Sequence, residues 1–162
     1  MTPFVRKATT DGDWAQTTSL MQRVYVDGGY TQATNAAQFM TRENLEPAGV
    51  LLIATDGAGT VVGVVLLPHE ESALRQVAGA NEREFRLLAV DARSRGSGIG
   101  ERLVRECIER ASAEGARALV LWSQPSMSAA HRLYERLGFS RAPGRDQEDP
   151  RGFTRMVFRK EL

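Results

Sequence analysis

The sequence predicts a mixed α/β fold: one domain built on a central, mostly antiparallel sheet of about seven strands, with about four helices on its faces. Three observations carry this. Short apolar, β-branched runs alternate with helical stretches in the order β-α-α-β-β-β-α-β-α-β-β. RALVLWS, Arg117 to Ser123, is nearly unbroken in apolar character, as expected of a strand covered on both faces. The chain has 162 residues, 42% hydrophobic and 25% charged, which supports one domain with a proper core and leaves no room for a comfortable second. Residues 1–162 are therefore read as a single unit without linker, repeat or low-complexity segment.

Each element has a local reason. Phe4 to Lys7 alternates as a short strand, and Thr9, Thr10 and Asp11 can cap the helix that follows from Asp13 to Tyr25. Trp14, Met21, Val24 and Tyr25 fall near one face of that helix. Asn35 can cap a second helix through Arg42. GVLLIATD then reads as a strand ended by the turn at Asp56 and Gly57, with Val61 to Leu67 as its hairpin partner. Pro68 to Asn81 lacks a period and is expected to be a loop containing one helical turn. Glu84 to Val90 is a strand leading into a glycine-rich turn and a helix whose apolar stripe is Ile99, Leu103, Cys107, Ile108 and Ala111, ended by Gly115. After Arg117 to Ser123 comes a helix from Ser126 to Leu137, with Gly138 placed for a left-handed cap. Phe139 to Arg141 and Phe153 to Arg159 supply the last strands.

Composition excludes several classes. The 21 basic and 20 acidic residues nearly cancel, so no general field draws the chain to nucleic acid. No stretch approaches the roughly 20 apolar residues that a spanning helix needs, and the first residues lack a signal-peptide core. No membrane partner is expected. Cys107 is the single cysteine, so an internal disulfide is impossible and a cytoplasmic setting is expected. His69 and His131 stand alone, and no metal is assigned.

The chemistry concentrates in LLAVDARSRGSGIGERLV, where a strand runs through Arg95-Gly96-Ser97-Gly98-Ile99-Gly100 directly into an amphipathic helix. Glycines allow close backbone approach, and the helix N-terminus adds free N–H groups and the positive end of its dipole, a combination suited to a pyrophosphate. Two common phosphate motifs fail on spacing. A dinucleotide fingerprint wants glycine where Glu101 stands, and no Gly-Lys-Ser/Thr triplet exists. Taken alone, the glycines would equally serve as a tight strand-to-helix turn.

Arg95-x-x-Gly98-x-Gly100 after a strand resembles the Gln/Arg-x-x-Gly-x-Gly/Ala signature of the GNAT superfamily of N-acetyltransferases. AAHRLYERLGF, Ala129 to Phe139, resembles the second signature of that superfamily, a helix with a tyrosine that ends in Leu-Gly-Phe. The two motifs cover Glu84 to Phe139; the first 80 residues agree only in their order of elements. The resemblance implies acetyl-CoA as cosubstrate and an amine as acceptor. It implies that the amides of Arg95, Gly96, Ser97, Gly98, Ile99 and Gly100 hold the CoA pyrophosphate. Leu88, Ala89 and Val90 would lie along the pantetheine arm, where the fourth strand splays from the fifth, with Met127 and Ala130 beside it. Met127 departs from the asparagine that many relatives carry there. Tyr134 would protonate the leaving thiolate.

An alkyl amine with a pKa near about 10.4 must shed a proton before it attacks a thioester. Glu84 occupies a position like that of the general-base glutamate in histone-modifying members of the superfamily, and Glu82 is the fallback. The Val90 N–H is assigned to the oxyanion. Cys107 reads as core. The acceptor is expected between the Gly28–Thr34 loop and the Arg145–Gly152 loop, where Asp146, Glu148 and Asp149 are either a lure for a cationic amine or a solvated acidic loop. Two rival functions stay open: an acyl-CoA-binding sensor without turnover, and a transferase for a longer acyl-CoA. A monomer and a homodimer are equally compatible with the sequence.

Overall fold

The computed structural model describes residues 4–162. Strand β1 (Phe4–Lys7) leads into helix α1 (Asp11–Asp27), then α2 (Ala33–Phe39) and the single turn α3 (Arg42–Leu45). Strands β2 (Gly49–Thr55) and β3 (Val61–Pro68) form a hairpin. They are followed by β4 (Glu82–Glu84), β5 (Arg86–Val90), α4 (Ile99–Ala113), β6 (Ala118–Ser123), α5 (Ser128–Arg136), β7 (Ser140–Arg141), β8 (Gln147–Glu148) and β9 (Thr154–Glu161).

The expected order is present, with six refinements. α1 begins two residues earlier than expected, because the Thr10 hydroxyl accepts the Asp13 N–H while the Asp13 carboxylate accepts the Thr10 N–H, a reciprocal capping box. α2 starts at Ala33 after Gln32, so Asn35 lies inside it rather than at its cap. α3 is additional, started by the Thr41 hydroxyl. The hairpin turn spans Asp56 to Thr60 instead of two residues, since Asp56 Oδ1 accepts the N–H groups of Ala58 and Thr60 and Gly59 supplies the left-handed residue at φ +81°. Of the expected loop from Pro68 to Asn81, Pro68 ends β3 and residues 69–81 form turns without a helix. The apolar run read as one strand, Glu84 to Val90, is two strands that belong to different sheets.

One sheet has the order β1-β2-β3-β5 and is antiparallel throughout. The other runs β4-β6-β9-β7, with β4 parallel to β6 and β8 pairing with β9. They meet at Phe85, whose N–H bonds the Val120 carbonyl at 3.2 Å. β2 and β3 are buried along almost their whole length because both faces are covered. On one face α4 and α5 enclose Leu52, Phe85, Leu103, Val104, Leu119 and Phe158. On the other, α1, α2 and α3 pack Trp14, Leu20, Met21, Ala36 and Leu45 against Ile53, Val64 and Leu66. Cys107 is fully buried, and burial pushes its thiol up to about 12, in keeping with a packing role. No helix among the described residues is long and apolar enough to cross a membrane.

Glu82 fastens the second sheet. Its buried carboxylate accepts from Arg145 at 2.7 Å, from Arg159 at 3.0 Å and from the Gly79 N–H at 2.8 Å. Burial opposes its charge, yet the hydrogen bonds from Arg145, Gly79 and Arg159 outweigh burial and bring its pKa down to about 2 from an ordinary 4.5. A carboxylate so committed has no capacity to serve as a base. Because the folded value lies below the unfolded one, its stabilisation is whole above about pH 4.5 and fades as pH falls toward 2. Thermal midpoints measured across that range should therefore drop, and Glu82→Gln should lower the midpoint at pH 7 while making the acid-side drop shallower.

Candidate active site

The site begins with an irregularity in β5. Against β3, Ala89 faces Val64 and Arg86 faces Leu66, so one more residue lies between the paired positions on β5 than on β3. That surplus is a β-bulge, and Leu87 sits in it at φ +60°, a left-handed conformation that a branched side chain adopts only when its surroundings impose it. A bulge bends its strand. β4 runs beside β6, but β5 beyond the bulge follows β3 alone and departs from β6.

The departure leaves backbone groups facing a gap. The Asp91 N–H bonds the Val62 carbonyl at 2.8 Å, which makes Ala89 and Asp91 the hydrogen-bonded partners of β3. By antiparallel alternation the N–H and C=O of Val90, and the C=O of Leu88, point the other way, toward β6. Tyr25 of α1 reaches across and donates its hydroxyl to the Leu88 carbonyl at 3.0 Å; burial keeps this phenol protonated. Opposite, among the described residues, the stretch of β6 from Leu121 to Ser123 has a strand partner only in β9.

One end of the gap opens on the glycine turn. Gly98 is the N-cap of α4 at φ +83° with no side chain to cap the helix, and Gly96 has φ +82°. A Cβ at either would meet no atom within 4 Å, so the space beside the turn is open. The first intrahelical bond is Arg102 N–H to the Gly98 carbonyl, which leaves the amides of Ile99, Gly100 and Glu101 free of helix partners. Gly100 has a different reason for its identity: a Cβ there would approach Leu133 to 3.2 Å and Val90 to 3.7 Å, so the turn, β5 and α5 converge on it. Arg95 to Gly98 are exposed, whereas Ile99 turns inward as core.

Tyr134 hangs from α5 into an aromatic cluster with Phe85, Phe139 and Phe158, at centroid separations of 5.8, 6.1 and 5.6 Å. Burial raises its pKa strongly, so the hydroxyl holds its proton. Met127 precedes α5 and its sulfur accepts from the Ser123 hydroxyl at 3.4 Å. Ala130 is half-buried against the same core as Tyr134, and His131 pairs with Ser123 at 3.1 Å.

Glu84 lies on the opposite face of its strand from Phe85. It is 0% exposed, and its oxygens accept from the N–H groups of Gln76, Val77 and Ala78, with Oε1 2.9, 2.7 and 2.9 Å away and Oε2 3.1 Å from Gln76. Three amides converging on one carboxylate fold the 76–78 loop down over Val120 and Val157. Only Oε2 has acceptor capacity to spare. The acidic loop is also spoken for: Asp146 pairs with Arg141 at 2.7 Å, Asp149 with Arg151 and Arg155 at 2.9 Å each, and Glu148 accepts from Thr154. The lure for a cationic amine is thus withdrawn. Sequence reasoning missed Tyr25 as a site residue, because its place in an apolar helical stripe reads as core.

A separate cavity of about 820 Å³, lined by Phe39, Ala48, His69, Glu71, Arg83 and Glu114, lies by the C-terminal end of α4 and touches none of the residues above. Among the described residues no cluster of His, Cys, Asp and Glu could hold a metal ion.

Residues 14–139 match the acetyltransferase (GNAT) family. The chain is 34% identical to N-acetylaspartate synthetase of Danio rerio over 111 residues, which are 68% of this chain and 37% of that one. It is 30% identical to mycothiol acetyltransferase of Pseudarthrobacter chlorophenolicus over 140 residues, 86% of this chain and 42% of that one. These matches span well under half the length of those relatives. In fold, it is similar to the PaiA N-acetyltransferase of Thermoplasma acidophilum solved with coenzyme A, with a TM-score of 0.75, 16% identity and full coverage of both chains.

If Glu84 holds the 76–78 loop, then Glu84→Gln sets a donor amide against backbone donors in a dry site. It should cost about 2 kcal/mol or more of unfolding free energy. Amide exchange at Gln76, Val77 and Ala78 should speed up in the variant, and unchanged exchange would show that the loop is held by other means.

Proposed function

The chain belongs to the acetyltransferase (GNAT) family, and from that membership we propose that it moves an acetyl group from acetyl-CoA to a primary amine by direct attack within a ternary complex. The observation that carries this reading is the uncapped, left-handed glycine start of α4, set at the mouth of a gap between two parted half-sheets. A pyrophosphate needs converging N–H groups and empty space, and the residues from Gly96 to Gly100 offer both. Acetyl-CoA supplies the activated acyl group when bound.

Each residue then has a task. The amides of Gly98, Ile99 and Gly100, with Arg95 alongside, bind the pyrophosphate, and Gly96 and Ser97 shape the turn. Val90 receives the amide groups of the arm with its free N–H and C=O, while the side chains of Met127 and Ala130 flank it. An arm anchored at α4 meets Val90 first and Leu88 nearer its tip, so the oxyanion role moves from the Val90 N–H to that of Leu88, beside the bulge. Tyr134, protonated and dry, gives its proton to the departing thiolate. A role for Glu84 in taking the amine proton narrows to relay through water at Oε2. The single buried Cys107 fits a reducing, cytoplasmic setting.

Acetyl-CoA should raise the thermal midpoint of the protein, as any ligand of the folded state must, and Gly98→Val should abolish the rise by placing a β-branched residue at φ +83° within the nest. Absence of a rise at saturating acetyl-CoA in the parent protein overturns the reading. Tyr134→Phe should cut kcat by roughly tenfold to a hundredfold with little effect on the KM of acetyl-CoA, measured by thiol release. A panel of acyl donors of increasing chain length tests the preference for acetyl.

A further inference from the structure

We propose that the amine acceptor carries a carboxylate, and that Arg86 is the residue that holds it. This rests on the transferase reading above and adds the chemical class of the acceptor. Arg86 opens β5, immediately before the bulge residue Leu87, and alternation along the strand places its side chain on the face of the sheet opposite Phe85, α4 and α5. The donor nest lies at the start of α4; Arg86 approaches the same gap from the other side.

Its environment is that of a cation awaiting a partner. The guanidinium is half-buried, stacks on the Trp122 ring at 5.3 Å and donates only a long 3.4 Å bond to the Leu74 carbonyl. Among the described residues no carboxylate lies within ion-pairing distance of it. Glu84 is near and its charge favours the cation, but its carboxylate makes no ion pair with Arg86 and is held by the amides of Gln76, Val77 and Ala78. Arg151 and Arg155, the other charges facing it, share Asp149 and add positive potential. Tyr25, whose hydroxyl marks the Leu88 carbonyl at the gap, also faces it.

Taking a guanidinium partly out of water without a counter-ion is costly, and burial accordingly weakens its hold on its proton. A planar fork stacked on an aromatic ring is well made for a carboxylate. An acceptor bound there has its acid group on Arg86 and its amine directed at the bulge, where the acyl carbon would lie. The nitrogen attacks that carbon, the C–S bond breaks, the sulfur takes a proton, and the amine gives one up.

The test is thiol release from acetyl-CoA with paired acceptors: glycine, aspartate and glutamate against ethanolamine, aspartate diamide and putrescine. Carboxylated amines should be preferred, Arg86→Gln should raise their KM at least about tenfold, as for a lost charged hydrogen bond, and Arg86→Lys should recover part of that loss. The midpoint rise given by acetyl-CoA alone should persist in both variants, which separates this proposal from the donor site. In a second arm, a carboxylated amine should add to the stabilisation given by CoA in the parent protein and not in Arg86→Gln. Preference for neutral or cationic amines overturns the proposal. So does an equal loss on all acceptors, and so does the absence of both turnover and added stabilisation with every carboxylated amine.

Discussion

The hydrogen bond from Phe85 to Val120 is the last link between two half-sheets, and the layout of the site follows from its being the last. One surplus residue in β5 turns the strand away from β6. A left-handed leucine costs on the order of 1–3 kcal/mol and persists only where neighbours dictate it. The neighbours can be named. Tyr25 holds the Leu88 carbonyl, Ala89 is buried and paired to Val64, and Glu82 and Glu84 tether β4 to arginines and loop amides. Both carboxylates of β4 therefore act as anchors that let the next five residues swing free of the second sheet.

The starts of α1 and α4 solve the same electrical problem in opposite ways. At α1 the Thr10 hydroxyl accepts the Asp13 N–H, the Asp13 carboxylate accepts the N–H groups of Thr9 and Thr10, and Asp13 is secured by Arg6 at 2.7 Å. Its own carboxylate already places negative charge at that helix start. At α4 the cap is a glycine with no side chain, and the donors stay available at the edge of the gap. Charge follows the same division. The buried acids Asp13, Glu82, Asp91 and Asp149 are each paired with arginine, whereas the amides at the turn and the half-buried guanidinium of Arg86 have no such partner.

Local pattern carried much of this. Apolar runs identified β2, β3 and β6, the 3.6-residue stripe identified α4, and Gly96 to Gly100 and Tyr134 were singled out as candidates by their resemblance to the two signatures of the superfamily. The parting at Phe85 was not, because no glycine, proline or turn residue interrupts EFRLLAV, and Leu87 bears none of the glycine or asparagine signature of a left-handed residue. Glu84 looked like a candidate base for a related reason. Its amide partners come from a loop whose fold depends on the glutamate itself. Ion pairs such as Arg145 with Glu82 join residues 63 positions apart, and no window of sequence reaches so far. The start of α2 failed more simply, since Gln32 makes no side-chain cap and left no mark to read.

The gap between β5 and β6 also means that the molecule carries two strand edges in its interior. Exposed edges are templates for pairing with other chains, and proteins usually blunt them with charge, proline or a covering loop. Here the sequence along β5 and β6 is apolar and the edges must stay open to be of use. A donor arm lying between them would serve as a temporary strand. The same break that would admit a cosubstrate thus leaves both strands with backbone groups that no neighbouring strand satisfies.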